Sequence, residues 1–157
     1  MITKDILVKS KVELKDYVEV DGRKYYVDNN KVVFEPTKKE IATAVWISKK
    51  LNKKVGILPR INVPSGIKTA DYLLDNEKWD LKILVSNRNN AIYTSIRRDS
   101  KQASNFIFDI SKSKLTIKAV VRQVEYLYKS KKLCWLNNVI IKKNNDIEII
   151  LKNKKSR

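Results

Sequence analysis

Thr69-Ala70-Asp71-Tyr72-Leu73-Leu74-Asp75-Asn76-Glu77-Lys78-Trp79-Asp80-Leu81-Lys82-Ile83 is the stretch on which the fold turns. Two apolar runs flank the polar tetrapeptide Asp75 to Lys78, so the pattern predicts strands at Asp71–Leu74 and Trp79–Val85 joined by a tight connection. Side chains alternate faces along a strand. Asp80 and Lys82 therefore share one face, and Trp79, Leu81 and Ile83 share the other. The apolar triplet suits a core, which leaves a carboxylate and an ammonium side by side in an otherwise apolar strand. Asp71 opens the first strand. If the strands pair as a hairpin, its partner position lies near Asp80 to Lys82, and three charged groups converge. Two carboxylates suit a hard divalent cation such as Mg²⁺, which retains waters and takes phosphate oxygens. Such an ion polarises a phosphodiester and acidifies a bound water. A lysine beside it orients that water or stabilises the charge of the transition state. The plainer account is a surface ion pair at i, i+2, because Asp-x-Lys alone is common.

Working outward, the N-terminal side reads as short strands. Asp21-Gly22 is a hairpin turn between Val18–Val20 and Lys24–Val27. Asp28-Asn29-Asn30 turns the chain again before Val32-Val33-Phe34. Thr37 and Glu40 then form an S/T-x-x-E capping box. Ile41, Ala44, Val45, Ser48 and Leu51 follow at helical spacing. Val55 to Leu58 is a strand closed by Pro59, and Ile61 to Thr69 is a loop. On the C-terminal side, Ser86 to Asn90 is a loop and Ala91 to Gln102 reads as a basic helix with Ile92 and Ile96 inward. Phe106 to Ile110 is a buried strand and Leu115 to Tyr128 an amphipathic helix. The chain closes on a hairpin, Val139–Ile141 and Ile147–Leu151, with its turn at Asn144-Asn145. Lys152 to Arg157 is expected to fray. The expected fold is α/β: a mixed β-sheet flanked by helices, core order α-β-β-β-α-β, with an N-terminal β-hairpin region and a C-terminal helix plus hairpin. Residues 1–35 form a strand-rich region packed on a core of 36–157, together one globular domain.

Composition narrows the chemistry. The 157 residues carry 34 Lys+Arg against 17 Asp+Glu, a net charge of +17. A field of that size attracts polyanions, nucleic acid first and an anionic membrane surface second. Part of the excess also fits an AT-rich coding bias. There is no histidine, which excludes His general bases, Ser-His-Asp and Cys-His triads, and His-ligated zinc. Cys134, the one cysteine, precludes an internal disulfide and is expected as buried filler. No apolar stretch reaches the length of a membrane span, and Met1 to Ser10 lacks the apolar region of a signal peptide.

The run Thr69 to Asp75 followed by Trp79-Asp80-Leu81-Lys82 resembles the PD-(D/E)xK nuclease signature, and more narrowly the CdiA C-terminal tRNA-nuclease toxin domain of contact-dependent growth inhibition, with related domains in phage-like and conjugative-element proteins. Members show a similar A-D-Y-L-I-x-G-x-x-W-(D/E)-x-K segment. A basic helix ending in Gln follows, then an apolar strand ending in Asp. Here these are Ile96-Arg97-Arg98, Gln102-Ala103 and Phe106 to Asp109. The resemblance covers about Thr37 to Ile110. Ala70 replaces the usual proline, and Asn76-Glu77 stands where a turn glycine is easy; neither removes a catalytic group.

The resemblance implies a metal-dependent endonuclease with Asp71, Asp80, Lys82, Glu40 and Gln102 as catalytic candidates. Asp71, Asp80 and Glu40 would be ligands to Mg²⁺ or Mn²⁺. Glu40 is equally explained by its capping box, and Gln102 by its place at a helix end. Arg97, Arg98 and Lys101 are candidates for phosphate contacts, against the alternative of a solvated helix face. Tyr93 is the candidate base-stacking residue, whereas Trp46, Trp79 and Trp135 suit the core. Implied substrate and partners are RNA, tRNA above other RNAs, and a cognate immunity protein. The implied setting is the cytoplasm of the producing or target bacterial cell, reached as the C-terminal part of a larger secreted or phage-like protein. The alternatives are a DNA endonuclease of the same fold and a non-catalytic basic nucleic-acid-binding module of a mobile element.

Overall fold

The structure is a computed structural model that describes residues 10–152. The expected frayed tail lies, apart from Lys152, outside the described residues. The chain divides into two compact units between Trp79 and Asp80, inside one strand. Each unit combines parallel and antiparallel strands with helix, so the expected mixed α/β class holds.

In the first unit, strands run in the order β1 (Val12–Leu14), β5 (Val55–Ile57), β7 (Tyr72–Leu74) and the start of β8 (Glu77–Ile83). β1 and β5 are parallel; β5, β7 and β8 are antiparallel. Gly56 sits where a Cβ would lie 3.0 Å from Lys15 Cε and 3.5 Å from Leu73 Cβ, so a larger residue would first have to displace the flexible Lys15 side chain. The β7–β8 register is Leu74↔Glu77, Leu73↔Lys78 and Tyr72↔Trp79. Its turn is two residues, tighter than expected: Asp75 and Asn76 both adopt positive φ (53° and 61°), as two-residue hairpins of the primed type require. Glu77 and Lys78 therefore belong to the strand.

The hairpin of β2 (Tyr17–Val20) and β3 (Arg23–Tyr26) forms as expected, with Asp21 and Gly22 at positive φ. Asp28 Oδ1 accepts from the backbone N–H of Asn30, Lys31 and Val32 at 2.8–2.9 Å. These bonds hold its carboxyl below the usual range, the Val32 bond first, and aim the chain into β4 (Val32–Val33). β4 pairs with β6 (Arg60–Ile61), a short strand that takes in the first residue of the expected loop. Val18, Val32 and Ile61 form a small core over which Val20, Val27 and Leu58 pack.

Helix α1 (Lys38–Leu51) starts at Thr37, whose Oγ1 accepts from Glu40 N at 3.1 Å. It stops at Asn52 in the left-handed region. Its inward stripe is Thr43, Ala44, Val45, Ile47 and Ser48, so Ile47 takes the central place expected for Ile41 and Leu51.

The second unit holds the rest of β8, then β9 (Asn105–Asp109), β10 (Val139–Lys143) and β11 (Asp146–Ile150) in that order. β9 and β10 are parallel, with Phe106, Ile107 and Phe108 buried against Val139, Ile140 and Ile141; β10 and β11 form the expected hairpin. Helix α3 (Ile117–Lys129) buries Val120, Val124 and Leu127, the i, i+4, i+7 stripe of an amphipathic helix. Helix α2 is shorter than the expected Ala91 to Gln102: it spans Ala91–Ile96. Beyond it the chain makes tight turns, Asp99 N to Ile96 O and Gln102 N to Asp99 O, both 2.9 Å. Cys134 is exposed rather than buried, because Leu133 and Leu136 take the inward positions of that run.

Candidate functional site

In the second unit, Asp80 and Lys82 share a face of β8 as the alternation requires. Asp80 is only 2% exposed. Its Oδ2 lies 3.2 Å from Lys82 Nζ, and its Oδ1 accepts from Gln102 Nε2 at 2.9 Å. Lys82 Nζ makes a second, shorter contact of 2.7 Å to Asp99 Oδ2. Burial pulls the Lys82 ammonium toward neutrality, the largest single influence; the Asp99 hydrogen bond and the charges of Asp80 and Asp99 outweigh it and hold the group above its usual range. The lysine is charged at neutral pH, fixed between two carboxylates.

Asp99 is the member that sequence reasoning missed. It sits among Arg97, Arg98, Ser100 and Lys101 and reads as one acid in a basic helix. Its burial shows only once the helix has stopped at Ile96 and the turn swings it inward. That early stop also brings Gln102 back to Asp80. A carboxylate flanked by lone basic residues just before a buried strand was the available signal, and a weak one.

In the first unit, Glu40 and Asp71 are near enough that the Asp71 charge, after burial, is the main influence raising the Glu40 carboxyl above its usual range. Arg60, at 3.2 Å from Glu40 Oε1, opposes the rise, as do hydrogen bonds from the Thr37 hydroxyl and backbone. Tyr72 donates its hydroxyl to the Glu40 carbonyl, which ties the first turn of α1 to β7. The capping role and the acidic pair therefore coexist in one residue. Two oxygen donors that repel one another, with no histidine or thiolate among them, suit a hard cation that keeps most of its waters. Among the described residues, no group of three or more acidic or cysteine side chains stands ready to enclose a metal ion.

Arg97, Arg98 and Lys101 are exposed on the turns after α2. Tyr93 is half-buried, with Lys132 Nζ 5.6 Å from its ring centroid. Trp79 is buried and Trp46 and Trp135 are half-buried, so all three sit in or against apolar packing. A further buried acid, Asp109, has its Oδ1 on Ser111 N–H at 3.0 Å and Lys142 3.9 Å from Oδ2, an arrangement fixed by the β9–β10 register. No helix among the described residues is long and apolar enough to cross a membrane.

A family model described as the contact-dependent growth inhibition CdiA C-terminal domain matches residues 68–147. A solved CdiA-CT/CdiI toxin and immunity complex from Burkholderia pseudomallei contains a chain of similar fold. Its TM-score is 0.60 at 21% identity, covering 89% of the present chain and 98% of that one. No curated protein matches by sequence.

Proposed function

Since the chain belongs to the contact-dependent growth inhibition CdiA C-terminal domain family, we propose that it is the toxin module of a larger delivered protein, and that it kills by hydrolysing phosphodiester bonds in RNA, tRNA above DNA. The observation that carries this reading is the buried Asp80, held between Lys82 and Gln102. A carboxylate and a charged lysine fixed on one strand face form the half-site that metal-assisted phosphodiester cleavage needs, and no histidine is required.

In this reading Asp80 supplies an oxygen to the cation, and Gln102 sets the carboxylate's rotamer. Lys82, kept charged by Asp99, faces the developing negative charge on the phosphate. Asp71 and Glu40 enter as the remaining acidic ligands that the sequence suggests; the repulsion between them is the kind of strain a bound cation relieves. The ion, when bound, polarises the phosphate and acidifies the attacking water. Arg97, Arg98 and Lys101 hold flanking phosphates, and the net charge of +17 brings the polyanion in. A toxin of this kind needs a cognate immunity protein in the producing cell, as the Burkholderia toxin is solved with one. Its substrate places its action in the target cell's cytoplasm.

The test is incubation of tRNA and of linear duplex DNA with the wild type and with Asp80→Asn, in Mg²⁺ at physiological salt. Asn preserves the acceptor for Gln102 while removing the charge. We expect tRNA cut at one or a few positions, duplex DNA intact, cleavage abolished by EDTA and restored by Mg²⁺ or Mn²⁺, and Asp80→Asn slowed roughly a thousandfold or more. Duplex DNA degraded while tRNA survives would replace this reading with a DNA endonuclease. One observation favours a non-catalytic module: the Asp80 network satisfies itself, as a structural ion-pair cluster does. Failure to cut either substrate with any divalent cation would put that module first.

A further inference from the structure

The second unit carries a recess of about 440 Å³ between α2 and α3, within the roughly 300–1,000 Å³ of small-ligand clefts. Its walls hold two tyrosines, Tyr93 and Tyr126, and two cations, Arg122 and Lys132. Arg122 and Tyr126 are one helical turn apart on α3 and so present to the same side. Tyr126 is 60% exposed, a large ring left uncovered beside a cavity. Asn89 and Asn90 close one end.

The walls are fixed in place. The amide of Gln123 accepts from Ile92 N–H at 3.1 Å and donates to Arg88 O at 3.0 Å, clamping the loop and the start of α2 to α3. Aromatic faces for stacking, cations for a phosphate and amides for a base edge are the elements that single-stranded nucleic-acid sites combine. A hydrophobic peptide would not call for the cations, and a bare phosphate would not call for the tyrosines. Lys132 Nζ lies 5.6 Å from the centroid of the Tyr93 ring, a face that already attracts a cation.

We propose that this recess captures one unpaired nucleotide of the RNA, its base stacked on Tyr126 and Tyr93 and its phosphate on Arg122 and Lys132. The inference rests on the nucleic-acid reading above and deepens it: it makes the substrate a strand with an accessible, unpaired base, and gives the module a contact that paired DNA cannot make. Arg97, Arg98 and Lys101 then supply phosphate attraction without regard to pairing, while the recess supplies the choice of single strand.

The experiment reads binding, in EDTA, so that its outcome does not depend on whether RNA is cut. The probe is a short single-stranded RNA carrying 2-aminopurine, alongside the same sequence as a duplex. Stacking quenches the fluorophore when the single strand binds the wild type. Tyr126→Ala should lose most of that quenching and bind the single strand about tenfold more weakly. Tyr126→Phe should match the wild type, and duplex binding should be unchanged in both. Arg122→Ala should reduce the salt dependence of single-strand binding by roughly 0.7 in the log–log slope, one phosphate contact. Thermal melting of Tyr126→Ala, expected at the wild-type temperature because the ring is exposed, separates a lost contact from a lost fold. If melting is lowered, Tyr93→Leu, which keeps the apolar bulk at a half-buried position, carries the same readout. Quenching and affinity unchanged in Tyr126→Ala and in Tyr93→Leu would overturn the proposal. So would equal loss for single strand and duplex, which would make the recess a general phosphate contact.

Discussion

The two charged clusters differ in what they leave unresolved. Around Lys82, two carboxylates face one ammonium, and the Gln102 amide donates to the Asp80 carboxylate from its other side. Around Glu40, Arg60 lies 3.2 Å from one carboxylate oxygen, and burial and the charge of Asp71 push Glu40 toward its neutral form. In the first cluster the opposing charges offset one another. In the second, burial and a neighbouring carboxylate both raise the Glu40 carboxyl. A buried ion-pair network is by itself weak evidence for catalysis, since structure also uses such networks, so the two clusters need separate tests. The contrast predicts that losing the Lys82 ammonium costs stability as well as rate, whereas losing the Glu40 charge lowers the rate without unfolding the protein.

Lys82→Met gives the largest effect on stability. It leaves Asp80 and Asp99 buried without their cation, and breaking such a pair costs about 3–5 kcal/mol. Denaturant unfolding at neutral pH should show that loss. The sign with pH follows from the raised lysine: its stabilisation is fully present below its ordinary value of 10.5 and is lost as pH rises through the higher folded value. The wild type should therefore weaken at strongly alkaline pH by a component that Lys82→Met lacks. A variant as stable as the wild type would mean that the network carries no net stabilisation, and the contrast between the clusters would fail on its stronger side.

Glu40→Gln tests the other side. Gln also serves in a capping box, and the substitution removes a repelled charge, so stability at neutral pH should stay within about 0.5 kcal/mol of the wild type or rise. The raised Glu40 carboxyl makes folding most favourable below its ordinary value of 4.5 and less so as pH rises through the higher folded value; the variant should lack that decline. Cleavage of RNA should nevertheless fall by roughly a hundredfold, if Glu40 holds the cation. Near wild-type turnover would leave Glu40 as a cap and nothing more.

The hairpins were readable because local chemistry decides them. Asp21-Gly22 and Asn144-Asn145 mark their turns by residue type, and Asp75-Asn76 does so without a glycine, which is why the turn came out two residues shorter than expected. The pairing of Asp80 with Lys82 was equally readable, since a period of two admits one answer. Asp99 was not. Its place depends on the ion pair it makes with Lys82, seventeen positions back in the chain, and periodicity over Ala91 to Gln102 shows only a continuous basic helix. The same blindness affects Glu40: the capping box is a local fact and was legible, whereas Arg60 and Asp71 reach it through the fold. Cys134 was misread for a related reason, because a short apolar run does not say which of its members faces inward.

The smallest expected effect separates the two roles of the α1 start. Thr37→Ala removes the hydroxyl that accepts from Glu40 N–H, an N-cap worth about 1 kcal/mol. It also removes one of the hydrogen bonds that oppose the rise of the Glu40 carboxyl, so Glu40 should become slightly easier to protonate. Denaturant unfolding should show the loss of about 1 kcal/mol, while the cleavage rate in saturating Mg²⁺ stays within about twofold at neutral pH. The rate should decline earlier as pH falls, because the cation competes with a more tightly held proton. Thr37→Ala and Glu40→Gln are then opposites: one costs stability and spares the rate, the other spares stability and costs the rate. If both lower the rate alike, the cap and the carboxylate cannot be separated, and Glu40 acts only by keeping the first turn of α1 in place.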